Sequence, residues 1–165
     1  MKIVFLDAST IGADVDLSLF ERYGDLKVYP TTSKEEFVER AADCDVIIIN
    51  KLKVGRENLP YCPNVKLVCI TATGFDNIDT EYCRERGIAV CNVVGYSTAS
   101  VAQITVSMAL SLLNHLPEYD AYTKSGAYAN GRDANRVTPV YHELKGKTIC
   151  TNIIWTSTND SINFL

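Results

Sequence analysis

A chain of 165 residues, 47% apolar and 22% charged, has the composition of one ordinary globular domain with a hydrophobic core. Its net charge of -4 and the absence of any basic run exclude electrostatic binding to nucleic acid or to anionic membrane. No apolar stretch approaches the ~20 residues that span a bilayer, and the first residues lack a signal-peptide pattern. The six cysteines include no C-x-x-C pair, so we expect reduced thiols, a cytoplasmic location and no metal site.

Short apolar runs alternate with helical patterns in the first part of the chain. The predicted strands are residues 2–7, 26–29, 45–49, 66–70 and 88–91, and the predicted helices between them are residues 14–23, 33–43 and 79–86. Ser33 and Glu36 form a capping box, in which each side chain accepts a hydrogen bond from a backbone donor at the helix start. This alternation predicts an α/β domain with a doubly wound, flavodoxin-like parallel sheet and helices on both faces.

Right-handed crossovers place the strand-to-helix loops at the carboxyl edge of such a sheet, where ligands bind. These loops are residues 8–13, 50–58, 71–78 and 92–97. Gly74 is expected to adopt a backbone conformation closed to other residues and to turn N–H groups toward a small anion, with the Thr73 hydroxyl beside it. Asp76 and Asn77 are expected to close this turn through side-chain hydrogen bonds. The alternative for residues 71–79 is an ordinary tight turn before a helix. The loop at residues 50–55, which adds two lysines at the same edge, could equally be a solvated surface loop.

A long apolar helix is predicted from residue 97 to about residue 116, with a second capping box formed by Ser100 and Gln103. Pro117 either kinks this helix or begins a new turn. Residues 125–140 are polar and rich in Gly, Asn and Arg, which predicts a loop or an extended arm.

Five segments, in this order and spacing, resemble the D-isomer-specific 2-hydroxyacid dehydrogenases. They are INK at residues 49–51, TATGFDNID at 71–79, RGIAVCNVVGYST at 86–98, SVAQITVSMALSLL at 100–113 and ELKGKT at 143–148. The INK loop and Gln103 are most similar to the glycerate dehydrogenase or hydroxypyruvate reductase branch. The resemblance implies an oxidoreductase that uses NAD or NADP. Such an enzyme acts on the CH–OH group of a small 2-hydroxy acid such as glycerate, or on a 2-keto acid such as hydroxypyruvate in reverse.

The same resemblance implies roles for individual residues. Gly74 matches a glycine whose amide binds the substrate carboxylate, and Thr73 matches a position that touches the nicotinamide end of the cofactor. Asn50 and Lys51 match the loop that borders the substrate from the other side. Thr105 matches a position near the nicotinamide and its phosphate, although a threonine bonded to its own helix would explain it equally well.

The sequence departs from the family pattern after ELKGKT. The family continues with a strand and a G-x-G-x-x-G loop that holds a pyrophosphate, whereas here no glycine follows Gly146. The catalytic Arg, Glu and His of the family are also missing, and His115 and His142 are expected to be surface or packing residues. We therefore expect a truncated, inactive chain with no catalytic residue and no tight binding of NAD or NADP.

The resemblance divides the chain into three parts. Residues 1–96 are the substrate-binding domain; residues 97–148 are an interdomain and dimerisation helix, an arm and the start of a truncated Rossmann domain; residues 149–165 are an aberrant tail. A homodimer, or association with a full-length relative, is the expected assembly. The alternative is a non-catalytic flavodoxin-like module that binds a small acid or pairs with a full-length paralogue. A receiver domain with Asp7 as phosphoacceptor lacks the accompanying acidic and lysine residues, and an FMN site at residues 8–12 lacks a Ser/Thr phosphate loop.

Overall fold

The computed structural model describes residues 1–131, 135–149 and 162–163, with the backbone alone at residues 149, 162 and 163. The chain divides into two compact units, Met1–Tyr96 and Ser97–Leu165.

The first unit is built on a five-stranded sheet in the order β2-β1-β3-β4-β5, with every neighbouring pair parallel. The strands are β1 Lys2–Phe5, β2 Asp25–Val28, β3 Val46–Ile49, β4 Leu67–Ile70 and β5 Ala89–Cys91. The chain runs outward from β1 to β2 and then returns to the other side of β1, so the order reverses between β1 and β3. The predicted doubly wound parallel sheet is confirmed.

Helices and turns connect the strands on both faces of the sheet. They are α1 Lys34–Ala41 and α2 Thr80–Glu85, with 3-10 helices at Ala8–Thr10, Leu17–Tyr23 and Leu59–Tyr61. The capping box at the start of α1 is confirmed, because the Ser33 amide donates to Glu36 Oε2 (2.8 Å) and the Glu36 amide donates to Ser33 Oγ (3.3 Å). The short helix predicted over residues 14–23 forms as a 3-10 helix that begins later, at Leu17, and Gly24 follows its last residue. Asp16 accepts from the Ser18 amide at its start, and the segment is too short to present a full apolar stripe.

Two clusters of buried side chains cover the two faces of the sheet. The larger cluster joins alternate strand residues to Phe37 and Ala41 of α1, Cys83 of α2 and Leu59. The smaller cluster lies on the opposite face and joins the side chains of Ile3, Phe5, Val46 and Ile48 to partly buried residues of the 8–23 segment. All of β3 is buried, as its uninterrupted apolar run predicts.

The second unit contains α3 Thr98–Leu113, α4 Leu116–Lys124 and the short α5 Ala127–Asn130. The helix axes of α3 and α4 differ by 63° across a break in which His115 has a positive φ of 53°. Pro117 lies in the first turn of α4, so of its two expected roles it begins a new helix.

Among the described residues no single helix is long and apolar enough to cross a membrane; only the bent α3–α4 pair reaches that length and composition.

Two expectations for this unit are wrong. The capping box of Ser100 and Gln103 does not form, because α3 already begins at Thr98 after Ser97, and a capping side chain has to precede the first helical residue. The polar stretch at residues 125–140 includes the helical turn α5 rather than being loop throughout. Arg136 lies over the Tyr122 ring, 3.9 Å from its centroid, so the described part of the arm packs on α4.

The last described elements are two-residue strands, β6 Thr148–Ile149 and β7 Ile162–Asn163, which pair antiparallel. The rest of the predicted aberrant tail, residues 150–161 and 164–165, lies outside the described residues.

Candidate functional site at the carboxyl edge of the sheet

Asp7 occupies the point where the strand order reverses. Its side chain is buried, and its carboxylate accepts hydrogen bonds from the backbone amides of Asn50 (2.8 and 3.0 Å), Lys51 (2.7 Å) and Leu52 (3.2 Å). Open α/β sheets bind ligands at this reversal, in the crevice beyond the strand ends. Here the protein fills that position with its own carboxylate. Both the phosphoacceptor and the FMN alternatives need this position for a ligand, so the arrangement counts against them.

The bonds to Asp7 fix the loop after β3, which contains two predicted substrate-binding residues. Asn50 is buried at 9% exposure, and its side-chain nitrogen lies 3.4 Å from the Thr10 carbonyl oxygen. Its side-chain oxygen is buried and has no hydrogen-bond partner within the described chain. Lys51 is exposed. Lys51 is thus open to solvent at the sheet edge, whereas Asn50 is buried. A direct contact of either residue with substrate stays a prediction.

Asn77 joins the loop after β3 to the loop after β4. Its side-chain nitrogen donates to the carbonyl oxygens of Leu52 (2.7 Å) and Asn50 (3.3 Å), and its own carbonyl oxygen accepts from the Val54 amide (3.0 Å). The expectation that the Asn77 side chain closes its own turn is therefore wrong. Because β3 and β4 are adjacent, the two loops leave the sheet side by side, and the amide reaches across to the neighbouring backbone.

The loop after β4 presents unpaired backbone donors. Within the described part of the chain, the amides of residues 73–77 donate no hydrogen bond, and Thr73 and Gly74 are half-buried. The described glycines with positive φ are Gly87, Gly95, Gly126 and Gly146. Gly74 is not one of them, so the special backbone conformation expected there is wrong. What Gly74 contributes is the absence of a side chain beside these amides.

A third loop, after β5, supports the Thr73 segment. The Thr73 hydroxyl donates to the Val93 carbonyl oxygen (2.8 Å), and the side-chain nitrogen of Asn92 donates to the Thr73 carbonyl oxygen (2.7 Å). The Val93 amide also donates to the Ala72 carbonyl oxygen (3.0 Å). Asp7, Asn77 and Asn92 therefore hold three loops in one arrangement. Sequence reasoning gave Asn77 a role only within its own turn and gave Asp7 and Asn92 no positioning role, although each is a short polar side chain at the end of a predicted strand or in the loop after it.

A shallow cleft of about 340 Å³ flanks the site, lined by residues 53–58 and 76–79. Within it, Arg56 pairs with Glu85 (2.7 Å) and Asp79 (3.4 Å), and the hydrogen bond to Glu85 is the main cause of the raised pKa of Arg56. This cation is engaged by protein carboxylates. The cleft includes none of Asn50, Lys51, Thr73 and Gly74, so it does not coincide with the predicted substrate site.

The remaining predicted site residue, Thr105, belongs to the second unit. Its hydroxyl donates to the Val101 carbonyl oxygen one turn earlier (2.7 Å). Thr105 is therefore bonded to the backbone of its own helix, which is the alternative explanation given for this threonine. A role for Thr105 at a cofactor stays a prediction. His115 is half-buried with Nδ1 3.4 Å from Glu118 Oε2, and His142 is exposed.

Comparison with known proteins identifies the class to which this fold and these loops belong. The family model described as D-isomer specific 2-hydroxyacid dehydrogenase, catalytic domain, matches residues 3–163, and the chain belongs to this family. Hydroxypyruvate reductase from Blautia hydrogenotrophica is 34% identical over 137 residues, which cover 81% of this chain and 42% of that protein. The chain thus spans less than half the length of this relative.

Solved structures agree on the fold. D-lactate dehydrogenase from Aquifex aeolicus, complexed with NAD and lactic acid, matches with a TM-score of 0.68 and 25% identity over 87% of this chain and 41% of that one. An acyclic imino acid reductase in complex with NADPH and D-Arg matches with a TM-score of 0.74 over 88% of this chain and 46% of that one. At 20% identity the second likeness concerns the fold alone.

Proposed function

We propose that this chain forms the substrate-binding part of an oxidoreductase for a small 2-hydroxy acid, of the glycerate and hydroxypyruvate type. The observation that carries the proposal is the row of amides at residues 73–77 without an acceptor in the described chain. These amides lie at the carboxyl edge of the sheet, in a loop that Asn77 ties to the Lys51 loop. Consecutive backbone N–H groups at a strand end form a site for a small anion such as a carboxylate.

The chemistry of the site follows from these donors. A carboxylate of a 2-hydroxy or 2-keto acid would accept hydrogen bonds from the amides of Thr73 and Gly74, and the missing side chain at Gly74 permits close approach. Lys51 would add a positive charge from the neighbouring loop. Because the loop is open to solvent, the ligand stays hydrated and each contact is weak, so we expect millimolar affinity for this chain alone.

The described residues do not fit a dinucleotide cofactor. The sequence contains no G-x-G-x-x-G loop, and the hydroxyls of Thr73 and Thr105 already donate to backbone carbonyls. We therefore assign no hydride-transfer step to this chain. NAD or NADP would be held by further sequence of the kind that full-length family members contain.

In this proposal the chain acts in the cytoplasm and associates as a homodimer or with a full-length relative.

Titration with hydroxypyruvate tests the binding site. We expect NMR amide shifts at millimolar ligand to centre on residues 73–77 and on Lys51. Lys51→Ala should weaken binding by about 1.4- to fivefold, because an exposed charge contact contributes ~0.2–1 kcal/mol. Lys53→Ala is the matched control and should leave the affinity unchanged. Shifts confined to other surfaces, or equal effects of the two lysine variants, would show that the site is elsewhere.

Activity provides a separate test. A polypeptide of these 165 residues is expected to show no NADH-dependent reduction of hydroxypyruvate or glyoxylate. Its sequence contains neither the G-x-G-x-x-G loop nor residues that match the catalytic Arg, Glu and His of the family. The measurement is NADH absorbance, with a full-length relative assayed in parallel. Turnover that persists through removal of host enzymes would contradict this expectation.

A non-catalytic small-acid binding module is the second candidate. It is favoured by the first unit, which has its own two-sided core and hydrogen bonds that join the loops at the carboxyl edge of its sheet. The titration separates the two proposals: binding far tighter than millimolar without any added domain would favour the module.

A further inference from the structure

Cys69 and Cys91 are direct neighbours on adjacent strands. They are paired in register between β4 and β5, in a row across the sheet that also contains Phe5 and Ile48. Residues in register on parallel strands point to the same face, and strands lie ~4.8 Å apart. Disulfides join residues whose Cα atoms are ~4.4–6.8 Å apart, so this pair falls within reach of a covalent bond without backbone movement.

Solvent exposure distinguishes Cys69 and Cys91 from the other described cysteines. Along the row, Phe5 and Ile48 are buried, Cys69 is half-buried and Cys91 is exposed, so this face of the sheet opens toward β5. Cys44, Cys62 and Cys83 are buried in the cluster on the opposite face. Burial raises the pKa of Cys62 to about 11, which suppresses its thiolate.

We propose that Cys69 and Cys91 form a redox-sensitive dithiol that small disulfides such as glutathione disulfide convert to an intramolecular disulfide. The exposed Cys91 reacts first: its thiolate attacks one sulfur of glutathione disulfide, forming a mixed disulfide and releasing one glutathione thiolate. Cys69 then attacks Sγ of Cys91, the Cys69–Cys91 bond forms, and the second glutathione leaves. Two cysteine thiols are oxidised and one glutathione disulfide is reduced to two glutathione thiols.

The order of these steps follows from the surroundings of the two thiols. Burial is the main cause of the raised pKa of Cys69, and the neighbouring Cys91 adds to it. A half-buried thiol with a raised pKa is a poor first nucleophile toward a dissolved disulfide, but it is well placed to attack a sulfur on the adjacent strand.

The new bond would link the strand ends from which two site loops depart. Cys91 immediately precedes Asn92, whose side-chain nitrogen donates to the Thr73 carbonyl oxygen. On β4, one residue, Ile70, separates Cys69 from the loop that contains Thr73. Oxidation would therefore tie together two of the loops of the candidate anion site. The proposal itself depends only on the cysteine pair and holds or fails independently of substrate binding.

The test is equilibration of the full chain with millimolar glutathione disulfide, followed by acid quench, thiol alkylation and peptide mass spectrometry. We expect two fewer alkylated thiols among the six cysteines and a crosslinked peptide containing Cys69 and Cys91, both reversed by dithiothreitol. Cys91→Ser should abolish oxidation, whereas Cys69→Ser should accumulate the mixed disulfide on Cys91. Cys83→Ala, which removes a buried thiol from the opposite face, is the matched control and should crosslink as the parent chain does.

Three results would overturn the proposal. They are a mixed disulfide on Cys91 that persists in the parent chain, a crosslink of Cys91 to a cysteine other than Cys69, and no loss of alkylated thiols. Circular dichroism of each serine variant before oxidation establishes that a negative result does not arise from unfolding.

Discussion

Replacing Asp7 with alanine is expected to lower the free energy of unfolding by about 3 kcal/mol or more. The backbone amides of Asn50, Lys51 and Leu52 all donate to this one carboxylate. Each donor left without an acceptor in a buried or partly buried position costs ~1–3 kcal/mol. The loss is a large fraction of the ~5–15 kcal/mol by which a domain of this kind is stable. Urea denaturation followed by circular dichroism measures it.

Two further variants separate the hydrogen bonds from general effects of substitution. Asp7→Asn keeps one carbonyl oxygen but directs an NH₂ group at backbone donors, so its loss of stability should lie between those of the parent chain and Asp7→Ala. Asp76→Ala removes an exposed carboxylate from a neighbouring loop and should change the stability by less than about 0.5 kcal/mol. Equal stability of Asp7→Ala and Asp76→Ala would show that Asp7 does not hold the loop.

Self-association is the second large effect expected. Four apolar side chains of α3 at helical spacing, Val101, Ile104, Met108 and Leu112, are exposed at 36%, 54%, 58% and 73%. They form one face of the helix. Each large apolar side chain left in water forgoes ~1.5–3 kcal/mol of burial, and an exposed patch of this kind favours contact with another copy. We expect light scattering to report oligomers or aggregates at micromolar concentration.

Charge placed on this face should reverse the effect. The double variant Ile104→Glu and Met108→Glu is expected to be monomeric, because association would bury the new carboxylates. Ser107→Glu adds a carboxylate at another exposed position of α3 and should associate like the parent chain. A monodisperse monomer of the unaltered chain with a cooperative melt would contradict the expectation.

The sequence by itself determined the strands and α-helices of the first unit and the class of its sheet. The apolar run at Val46–Ile49 indicates a strand covered on both faces, and Ser33 with Glu36 marks the start of α1. Both signals are local: the first depends on side-chain composition within one strand, and the second on two side chains within one helical turn. The motifs around Thr73, Gly74 and Lys51 likewise indicate the family from residue identity and spacing alone.

Tertiary structure alone decided how the site is held. Asp7 binds amides 43, 44 and 45 residues away, Asn77 reaches 25 residues back to Leu52, and Asn92 reaches 19 residues back to Thr73. No local pattern specifies such partners, because they depend on which strands become neighbours in the sheet. The same strand order brings Cys69 beside Cys91 and leaves that end of the face open. The sequence determined which residues follow each strand. Only the order of the strands in the sheet determined which of these residues contact each other.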